Sequence, residues 1–493
     1  MADPSKSKLP EQSLLKETLG HQNRQSSSAI GATTDFDPAI TKFLPFNRKG
    51  KFSLLKPRSS LRRVAQDVYF ELANLDAIEK IVAPHGSELV ELYFRTVHPG
   101  FPILHKKVFL EKYRRTYREL TPIGLGAVYA LALSWWSYNS KELEKLLLGM
   151  LFEIHARPKI SDLQGALVLM QRPDVNSWAL TGHVVSMAQN LGVNRDASDW
   201  HIPDWERGVR KRVAFALFMQ DKWGALIYGK PSHIRLDDWD VQPLISSDFP
   251  ETSNDDDDEE GSAEVEKGKQ IFLYMVSLTE IVADILDHFF TLKALRRVLD
   301  ISDVLPKAKP LQIRLKQWIA DLPPSLSVDV TKARRLSSVG YLHLAYYTAE
   351  VTLHRAILRT WSASSTDSDI RLITRAAAQA RFTSALEFAK RLKPGHLQSF
   401  WYFSSSSSLA IIGIFACILA ATSNEHQERD DIMSRLAEYR WTLRISSNGA
   451  AFMKYAVGLL DGTSQLLEQQ FEKASAVSMK MSFPLQEMTN VLW

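Results

Sequence analysis

The sequence predicts an all-α fold, and three observations lead to that prediction. Apolar residues recur at intervals of three and four along most of the chain, as on one face of a helix. Capping residues and stop signals bracket many of these stretches. We find no stretch of useful length in which apolar and polar residues alternate, as they do in half-buried strands. We therefore expect more than a dozen helices and no sheet of three or more strands.

Local signals place the helices of the first half, residues 80–247. Thr121 can cap a helix that has proline at its first position. Ser161 begins a segment with the spacing of a capping box. Gly192 and Gly229 each follow an apolar stretch, at the position where a left-handed residue ends a helix. The expected helices run over residues 87–98, 122–136, 161–170, 180–191 and 203–228.

The second half, residues 268–493, continues the helical pattern. Its most apolar run, Leu409 to Ala421, has 13 residues. Because a membrane-spanning helix needs about 18 residues or more, we interpret this run as a buried core helix. The expected helices run over residues 270–290, 311–320, 336–361, 368–392, 409–421 and 450–471.

An acidic segment separates the two halves. Ten acidic residues and no basic one lie between Asp248 and Glu266, and six of them form the run from Asp255 to Glu260. Like charges at this density repel one another and do not pack. We therefore expect residues 248–267 to form an exposed, poorly packed linker.

Residues 1–65, the basic arm, are polar and lack helical periodicity, so we expect them to be disordered. Eight basic residues and no acidic one lie between Pro38 and Gln66. Such a stretch is a candidate nuclear-import signal or phosphate-contacting site, and a solvated flexible segment is the alternative. The candidate residues are Arg48, Lys49, Lys51, Lys56, Arg58, Arg62 and Arg63.

Composition indicates a soluble intracellular protein. The 493 residues include a single cysteine, Cys417, which excludes an intramolecular disulfide and a multi-cysteine metal cluster built from this chain. Met1 to Ile30 lacks the apolar core of a secretory signal. The net charge is only +4, with 60 basic and 56 acidic residues, so a basic surface for nucleic acid has to be local.

No pattern in the sequence argues for an enzyme, a bound metal or a cofactor. Gly224 to Lys230 fits the first seven positions of a phosphate-binding loop, but Pro231 stands where Ser or Thr should hold magnesium. His98 and His105 lack a third metal ligand at a recognisable spacing, so we interpret them as capping or core histidines. Neither the serine-nucleophile elbow nor the zinc-protease motif is present. We expect no catalytic residue and no cofactor.

The predicted helix from residue 203 begins with a basic cluster that includes Arg207, Arg210, Lys211 and Arg212. A DNA-recognition helix keeps such side chains along one side for most of its length, whereas this cluster covers about two turns. We interpret the cluster as a solvated first half that leads into a buried second half, and a DNA contact is the alternative.

Three segments carry a resemblance to a known family. They are Tyr93 to Phe109, with the run FPILH, Ala188 to Asp196, with AQNLGVNRD, and Lys211 to Val241, with KRVAFALFMQDKW followed by a Gly-Lys-Pro turn. Together they resemble the fungal-specific transcription factor domain, the regulatory middle region of zinc-cluster transcription factors. Within that family, the stretch from Trp205 to Gly208 together with that from Met219 to Trp223 looks most like the nitrogen-utilisation coactivators.

The resemblance implies a nuclear regulator of RNA polymerase II genes that is built on a helical regulatory domain. Family members generally carry a six-cysteine, two-zinc cluster that reads DNA, but this chain has no cysteine before Cys417. The expected protein is therefore a coactivator-type member, or a form whose upstream zinc-cluster exon is missing.

The expected partners follow from the same resemblance. They are proteins of the transcription machinery or a DNA-binding factor, with DNA bound only weakly or indirectly, no membrane, and a small effector between helices as a further candidate. The alternative function is a helical module that senses small molecules or binds proteins without direct transcriptional activity.

Overall fold

A computed structural model describes much of the chain. The described residues are 13–15, 18, 27–29, 52–54, 61–136, 141–151, 158–173, 175–296, 300–362 and 368–482. Of the candidate arm residues, Arg48, Lys49, Lys51, Lys56 and Arg58 lie outside this set.

Helices form nearly all of the regular structure in the described residues, which confirms the all-α prediction. The α-helices are α1 (Leu61–Val82), α2 (Gly86–Thr96), α3 (Lys106–Arg115), α4 (Pro122–Ala132), α5 (Lys141–Leu151), α6 (Ile160–Leu169), α7 (Trp178–Asn190), α8 (Asp204–Tyr228), α9 (Val265–Phe289), α10 (Leu292–Leu295), α11 (Ile301–Ala320), α12 (Val339–Leu358), α13 (Ser368–Lys390), α14 (Pro394–Leu397), α15 (Ser405–Ala421), α16 (His426–Ser446) and α17 (Met453–Ser482).

The strands of the described part are two or three residues long and pair two by two. An antiparallel pair joins β1 (Ser27–Ala29) to β2 (Phe52–Leu54). A parallel pair joins β3 (Ser262–Ala263) to β4 (Arg335–Leu336). Each sheet therefore has two strands, below the three that would have contradicted the fold prediction.

The described chain divides into two compact units. The first contains the described residues up to Asp287 together with Gln317–Leu342 and Gln398–Ser404. The second contains His288–Lys316, His343–Leu397 and the residues from Ser405 onwards. The acidic residues 248–267, which we expected between two halves of the body, lie within the first unit.

Two buried helices organise the first unit. In α4, every residue from Ile123 to Ala132 is buried, and α6 crosses it so closely that a Cβ at Gly165 would lie 2.6 Å from the Ile123 carbonyl oxygen. In α8, every residue from Arg212 to Ala225 is buried. Because α8 runs through the core, its charged side chains have to find partners inside the protein.

The second unit is built around α15, which packs against α13, α16 and α17. This confirms the interpretation of Leu409 to Ala421 as a core helix. Cys417 is buried in it, and burial raises the pKa of its thiol to about 11. Among the described helices, none combines the length and the apolar character that crossing a membrane requires.

Several of the predicted helix ends are confirmed. The Thr121 hydroxyl accepts a hydrogen bond from the Gly124 amide at 3.2 Å, at the start of α4. Gly192 and Gly229 follow α7 and α8 with φ values of 65° and 61°, in the left-handed region. The capping-box prediction at Ser161 is wrong, because α6 begins at Ile160 and Asp162 accepts the hydrogen bond from the Lys159 amide instead, at 2.9 Å.

Substitution of Gly229 tests the end of α8. A Cβ at this position would have no heavy atom within 4 Å, so the cost of alanine comes from the backbone conformation alone. We expect Gly229→Ala to lower the free energy of unfolding by about 1 kcal/mol, and Gly229→Asn to cost less because asparagine tolerates positive φ. Urea denaturation measures both variants, and an alanine variant as stable as the wild type would contradict the assignment.

Candidate functional site: buried charges around helix α8

A fully buried arginine joins two of the three signature segments. Arg212 lies in α8, and its Nη1 atom donates hydrogen bonds to the carbonyl oxygens of Pro102 and, at 3.1 Å, Leu104. The same atom is 3.9 Å from Oε2 of Glu251, and the Phe249 ring lies 5.6 Å from the guanidinium. The guanidinium of Arg212 therefore holds the segment Phe101–Leu104 against α8.

Glu251 is the buried counter-charge. It is 4% exposed, its Oε1 atom accepts a hydrogen bond from the Lys106 amide at 3.1 Å, and the same atom is 3.7 Å from Nε2 of His98. Burial alone would raise the pKa of this carboxyl, but the nearby His98 and the Arg212 guanidinium hold it well below its usual range. Glu251 is therefore ionised at neutral pH.

The position of Glu251 differs from the expectation of a poorly packed acidic linker. Phe249 and Glu251 are buried, and Asp248 forms an ion pair with Lys211 at 3.0 Å. Further along, the Asp256 carboxylate accepts a hydrogen bond from the Val265 amide at 2.7 Å, and Arg335 donates to the Asp257 carbonyl oxygen. Repulsion among the acidic residues is offset because other parts of the first unit supply the cations.

The two histidines lie where a capping or core assignment places them. His105 is the N-cap of α3, and its Nδ1 atom accepts a hydrogen bond from the Val108 amide at 3.4 Å. His98 is buried beside Glu251. Within the described residues, no group of three or more His, Cys, Asp or Glu side chains could hold a metal ion.

A second buried ion pair connects the remaining signature segment to α8. The Nε and Nη2 atoms of Arg210 each donate to Oε1 of Glu206 at 3.2 Å, and its Nη1 atom donates to the carbonyl oxygen of Leu191 at 3.1 Å. The guanidinium also lies 5.1 Å from the Trp200 ring centre. The end of α7 is thereby attached to the first turns of α8.

These contacts correct the interpretation of the basic cluster. Arg210 and Arg212 are 2% and 0% exposed, so they form neither a solvated face nor a DNA contact. Lys211 is paired with Asp248, and Arg207 donates to the carbonyl oxygens of Trp200 and Ile202 at 2.9 Å. The cluster serves the folding of the first unit.

A buried aspartate holds the turn that follows α8. The carboxylate of Asp221 accepts hydrogen bonds from the Ser232 hydroxyl, the His233 amide at 2.7 Å and the Ile234 amide at 3.2 Å. The adjacent Lys222 donates to the Ser232 hydroxyl and the Ile234 carbonyl oxygen. Residues 224–228 are helical, so this segment lacks the strand–loop–helix arrangement of a phosphate-binding loop.

The histidines make the stability of the first unit depend on pH. Burial lowers the pKa of His105 to about 4, and it also lowers the pKa of His98. In the unfolded chain both rings take up a proton near pH 6.5, so between about pH 6.5 and 4 the unfolded state binds more protons. We expect the free energy of unfolding to fall as the pH is lowered through this window.

Urea denaturation at pH 7, 6 and 5 measures this dependence. The variant His105→Asn keeps a side-chain acceptor at the N-cap and does not titrate, so its stability should depend less on pH. A wild-type stability that stays constant or rises towards pH 5 would contradict the assignment.

The structure describes two of the seven candidate residues of the basic arm. The backbone of Arg62 and Arg63 belongs to the first turn of α1, and the other five candidate residues lie outside the described part. A role of these seven residues in nuclear import or phosphate contact stays a prediction.

Comparison with known proteins places the buried network within a conserved domain. The profile of the fungal specific transcription factor domain matches residues 90–320. This range contains Arg212, Glu251 and Asp221, as well as all three signature segments. No solved structure matches the chain.

Several curated relatives are transcriptional regulators. The transcriptional activator protein DAL81 of Saccharomyces cerevisiae is 34% identical over 485 residues, which cover 86% of this chain and 50% of that protein. An uncharacterized transcriptional regulatory protein of Schizosaccharomyces pombe is 34% identical over 228 residues, 43% of this chain and 33% of that one. The acetamidase regulatory protein of Aspergillus oryzae is 26% identical over 297 residues, 57% of this chain and 36% of that one.

The chain spans half the length of the S. cerevisiae relative and about a third of the other two. The matched range nevertheless contains all three signature segments, and Arg212 and Arg210 of α8 bind the backbone of the other two. The chain therefore carries a fungal specific transcription factor domain at residues 90–320.

Proposed function

We propose that this chain regulates the transcription of RNA polymerase II genes in the nucleus, through protein contacts made by its helical body. The observation that carries the proposal is the network around α8, in which Arg210, Arg212 and Asp221 are bound within the protein. Charges engaged in this way build a rigid regulatory body, and they are not free to contact DNA or substrate. The printed name of the S. cerevisiae relative, a transcriptional activator protein, supports the same role.

The finer proposal is that the chain acts as a coactivator-type regulator. One cysteine in 493 residues cannot supply the six thiolates of a two-zinc cluster. Sequence-specific contacts to DNA then come from a partner protein or from a segment outside these residues. On this proposal the chain performs no catalysis and uses no cofactor of its own.

Experiments in the fungus that encodes the chain test this role. We expect deletion of the gene to change the transcript levels of a defined set of genes, and a tagged chain to crosslink to the promoters of that set. Normal transcript levels after deletion, or a tagged chain that is absent from the nucleus under inducing and non-inducing conditions, would contradict the proposal.

Purified residues 1–493 are expected to bind duplex DNA weakly and without sequence preference. The eight basic residues between Pro38 and Gln66 can neutralise several phosphates, so affinity should fall between about 50 and 200 mM salt with a log–log slope near −0.9 per phosphate contacted. A chelator should have no effect. Fluorescence anisotropy on random and promoter duplexes measures this binding.

A matched variant assigns that weak binding to the arm. Replacing Arg48, Lys49 and Lys51 by glutamine should weaken binding to all duplexes equally and make the salt slope less steep. Nanomolar, sequence-selective binding by the wild-type chain at physiological salt would contradict this prediction.

A further inference from the structure

An apolar stripe runs along the outer face of α17. Tyr455, Leu459 and Leu466 are 57%, 42% and 64% exposed, and with Gly462 they follow one another at intervals of four, three and four residues. This spacing places all four positions on one face of a helix. We call these four residues the α17 stripe.

The other two sides of α17 make its contacts within the second unit. Met453, Ala456, Leu460 and Ser464 are buried on the core side. On the side towards α16, the Asp461 carboxylate accepts hydrogen bonds from Arg440 at 2.7 and 2.9 Å and from Arg444 at 2.6 Å. The α17 stripe is therefore separate from both contacts that hold the helix in place.

Two glycines lie on this side of α17, Gly462 within the stripe and Gly458 beside it, and the space around both is open. A Cβ at Gly458 or Gly462 would have no heavy atom within 4 Å, and both residues have ordinary helical backbones. Glycine inside a helix is unfavourable relative to alanine, because it loses more conformational freedom. Glycines four residues apart allow another helix to approach the backbone closely.

The charges beside the stripe favour a second copy of the same helix in antiparallel orientation. Lys454 and Glu472 are exposed, and their spacing of 18 residues, five helical turns, puts them on the same flank of the stripe. In an antiparallel pair of identical helices, like flanks face each other. A two-fold axis near Gly462 then sets Lys454 of each copy against Glu472 of the other, and Leu459 against Leu466. In a parallel pair opposite flanks face each other, so Lys454 and Glu472 would not meet across the interface.

We propose that the α17 stripe is a self-association surface on which two copies of this chain pair antiparallel through α17, with Gly462 at the two-fold axis. Pairing Leu459 with Leu466 places the axis between residues 462 and 463, and pairing Lys454 with Glu472 places it at residue 463. Both pairings put the axis within one residue of Gly462, which is the argument for a second copy as the occupant. The proposed contact spans about five helical turns of a single helix, which is a small interface, and we expect a weak dimer with a dissociation constant of roughly micromolar order.

Sedimentation equilibrium of the full chain tests the surface. We expect concentration-dependent dimers, and we expect Leu466→Glu to weaken association at least tenfold. Leu372→Glu is the matched control, because Leu372 is 69% exposed on α13 and lies outside the stripe. A chain that is monomeric up to about 100 µM, well above a micromolar dissociation constant, overturns the proposal, and so does a dimer that both variants leave unchanged.

A second variant separates association from folding. Gly462→Leu adds a helix-favouring side chain in open space, so the melting temperature of the monomer should stay the same or rise. The added side chain blocks the close approach at the axis, so the dimer should weaken at least tenfold. Unchanged association of a folded Gly462→Leu chain contradicts the proposed axis.

Charge reversal tests the orientation at about 50 mM salt, where surface charges are least screened. Lys454→Glu and Glu472→Lys should each weaken self-association several-fold, because each creates two like-charge contacts per dimer. A mixture of the two variants should recover the wild-type affinity, since both contacts are then between opposite charges. A mixture that associates no better than the single variants overturns the antiparallel register.

Discussion

Replacing Arg212 by alanine is expected to lower the free energy of unfolding of the first unit by about 3–5 kcal/mol, the range for breaking a buried ion pair. The substitution leaves the Glu251 carboxylate buried without its cation, and it removes the donor to the Pro102 and Leu104 carbonyl oxygens. It also leaves a cavity beside Phe249. Urea denaturation followed by tryptophan fluorescence measures the change.

A matched control and a double-mutant cycle identify the cause. Arg235→Ala removes an arginine that is 76% exposed and faces Asp237 and Asp238, so it should change stability by less than about 0.5 kcal/mol. Combining Arg212→Met with Glu251→Gln should cost less than the sum of the two single changes, because the charges are removed together. Additive effects, or a loss below about 1 kcal/mol in Arg212→Ala, would contradict the role of the ion pair.

Replacing Asp221 by alanine is expected to cost about 3 kcal/mol or more, since hydrogen bonds to a charged acceptor contribute about 1.5–3 kcal/mol each and are not additive. The change removes the acceptor for the Ser232 hydroxyl and for the His233 and Ile234 amides. It also leaves Lys222, which is 2% exposed, without its nearest counter-charge. The turn after α8 should then open.

Hydrogen exchange locates this effect. In Asp221→Ala the His233 and Ile234 amides should exchange faster than the amides of α4, because the loss is local to the turn. The control is Asp237→Ala, where the carboxylate is 89% exposed and its removal should change stability by less than about 0.5 kcal/mol. Protected His233 and Ile234 amides in Asp221→Ala would show that the aspartate does not hold the turn.

The parts of the fold that the sequence predicts well are those with local causes. The cap at Thr121 and the left-handed glycines at 192 and 229 depend on neighbouring backbone groups, so short-range patterns are sufficient to find them. The predicted helix from residue 203 agrees with α8 because its long apolar part has to be buried.

Other helices were missed because tertiary contacts outweigh the local signal. The sequence of α16 is densely charged, and its buried residues Ile432, Leu436, Tyr439 and Leu443 are the only periodic indication. Helix α11 begins at Ile301, ten residues before the predicted start, and it contains Pro306 and Pro310. Proline usually ends a helix, so a sequence pattern alone favours the later start.

In the candidate site, the sequence alone does not distinguish buried charged residues from solvated ones. A basic residue next to an apolar stretch looks the same whether it is solvated or buried, and only the fold shows that Arg210 and Arg212 have internal acceptors. In the sequence, nothing distinguishes Glu251 itself from the acidic residues around it. The signal that could have found it is Phe249, an aromatic residue in a charged segment, because a side chain of that size is usually buried.

The central claim is that the helical body regulates transcription through protein contacts. The most direct test tethers residues 61–482, which leave out residues 1–60 of the basic arm, to a promoter through an unrelated DNA-binding domain and measures transcripts of a reporter gene in a fungal host. The account predicts a several-fold change relative to the DNA-binding domain alone, and loss of that change in Arg212→Ala but not in Arg235→Ala. Reporter transcription that a stably expressed wild-type fusion leaves unchanged would contradict it.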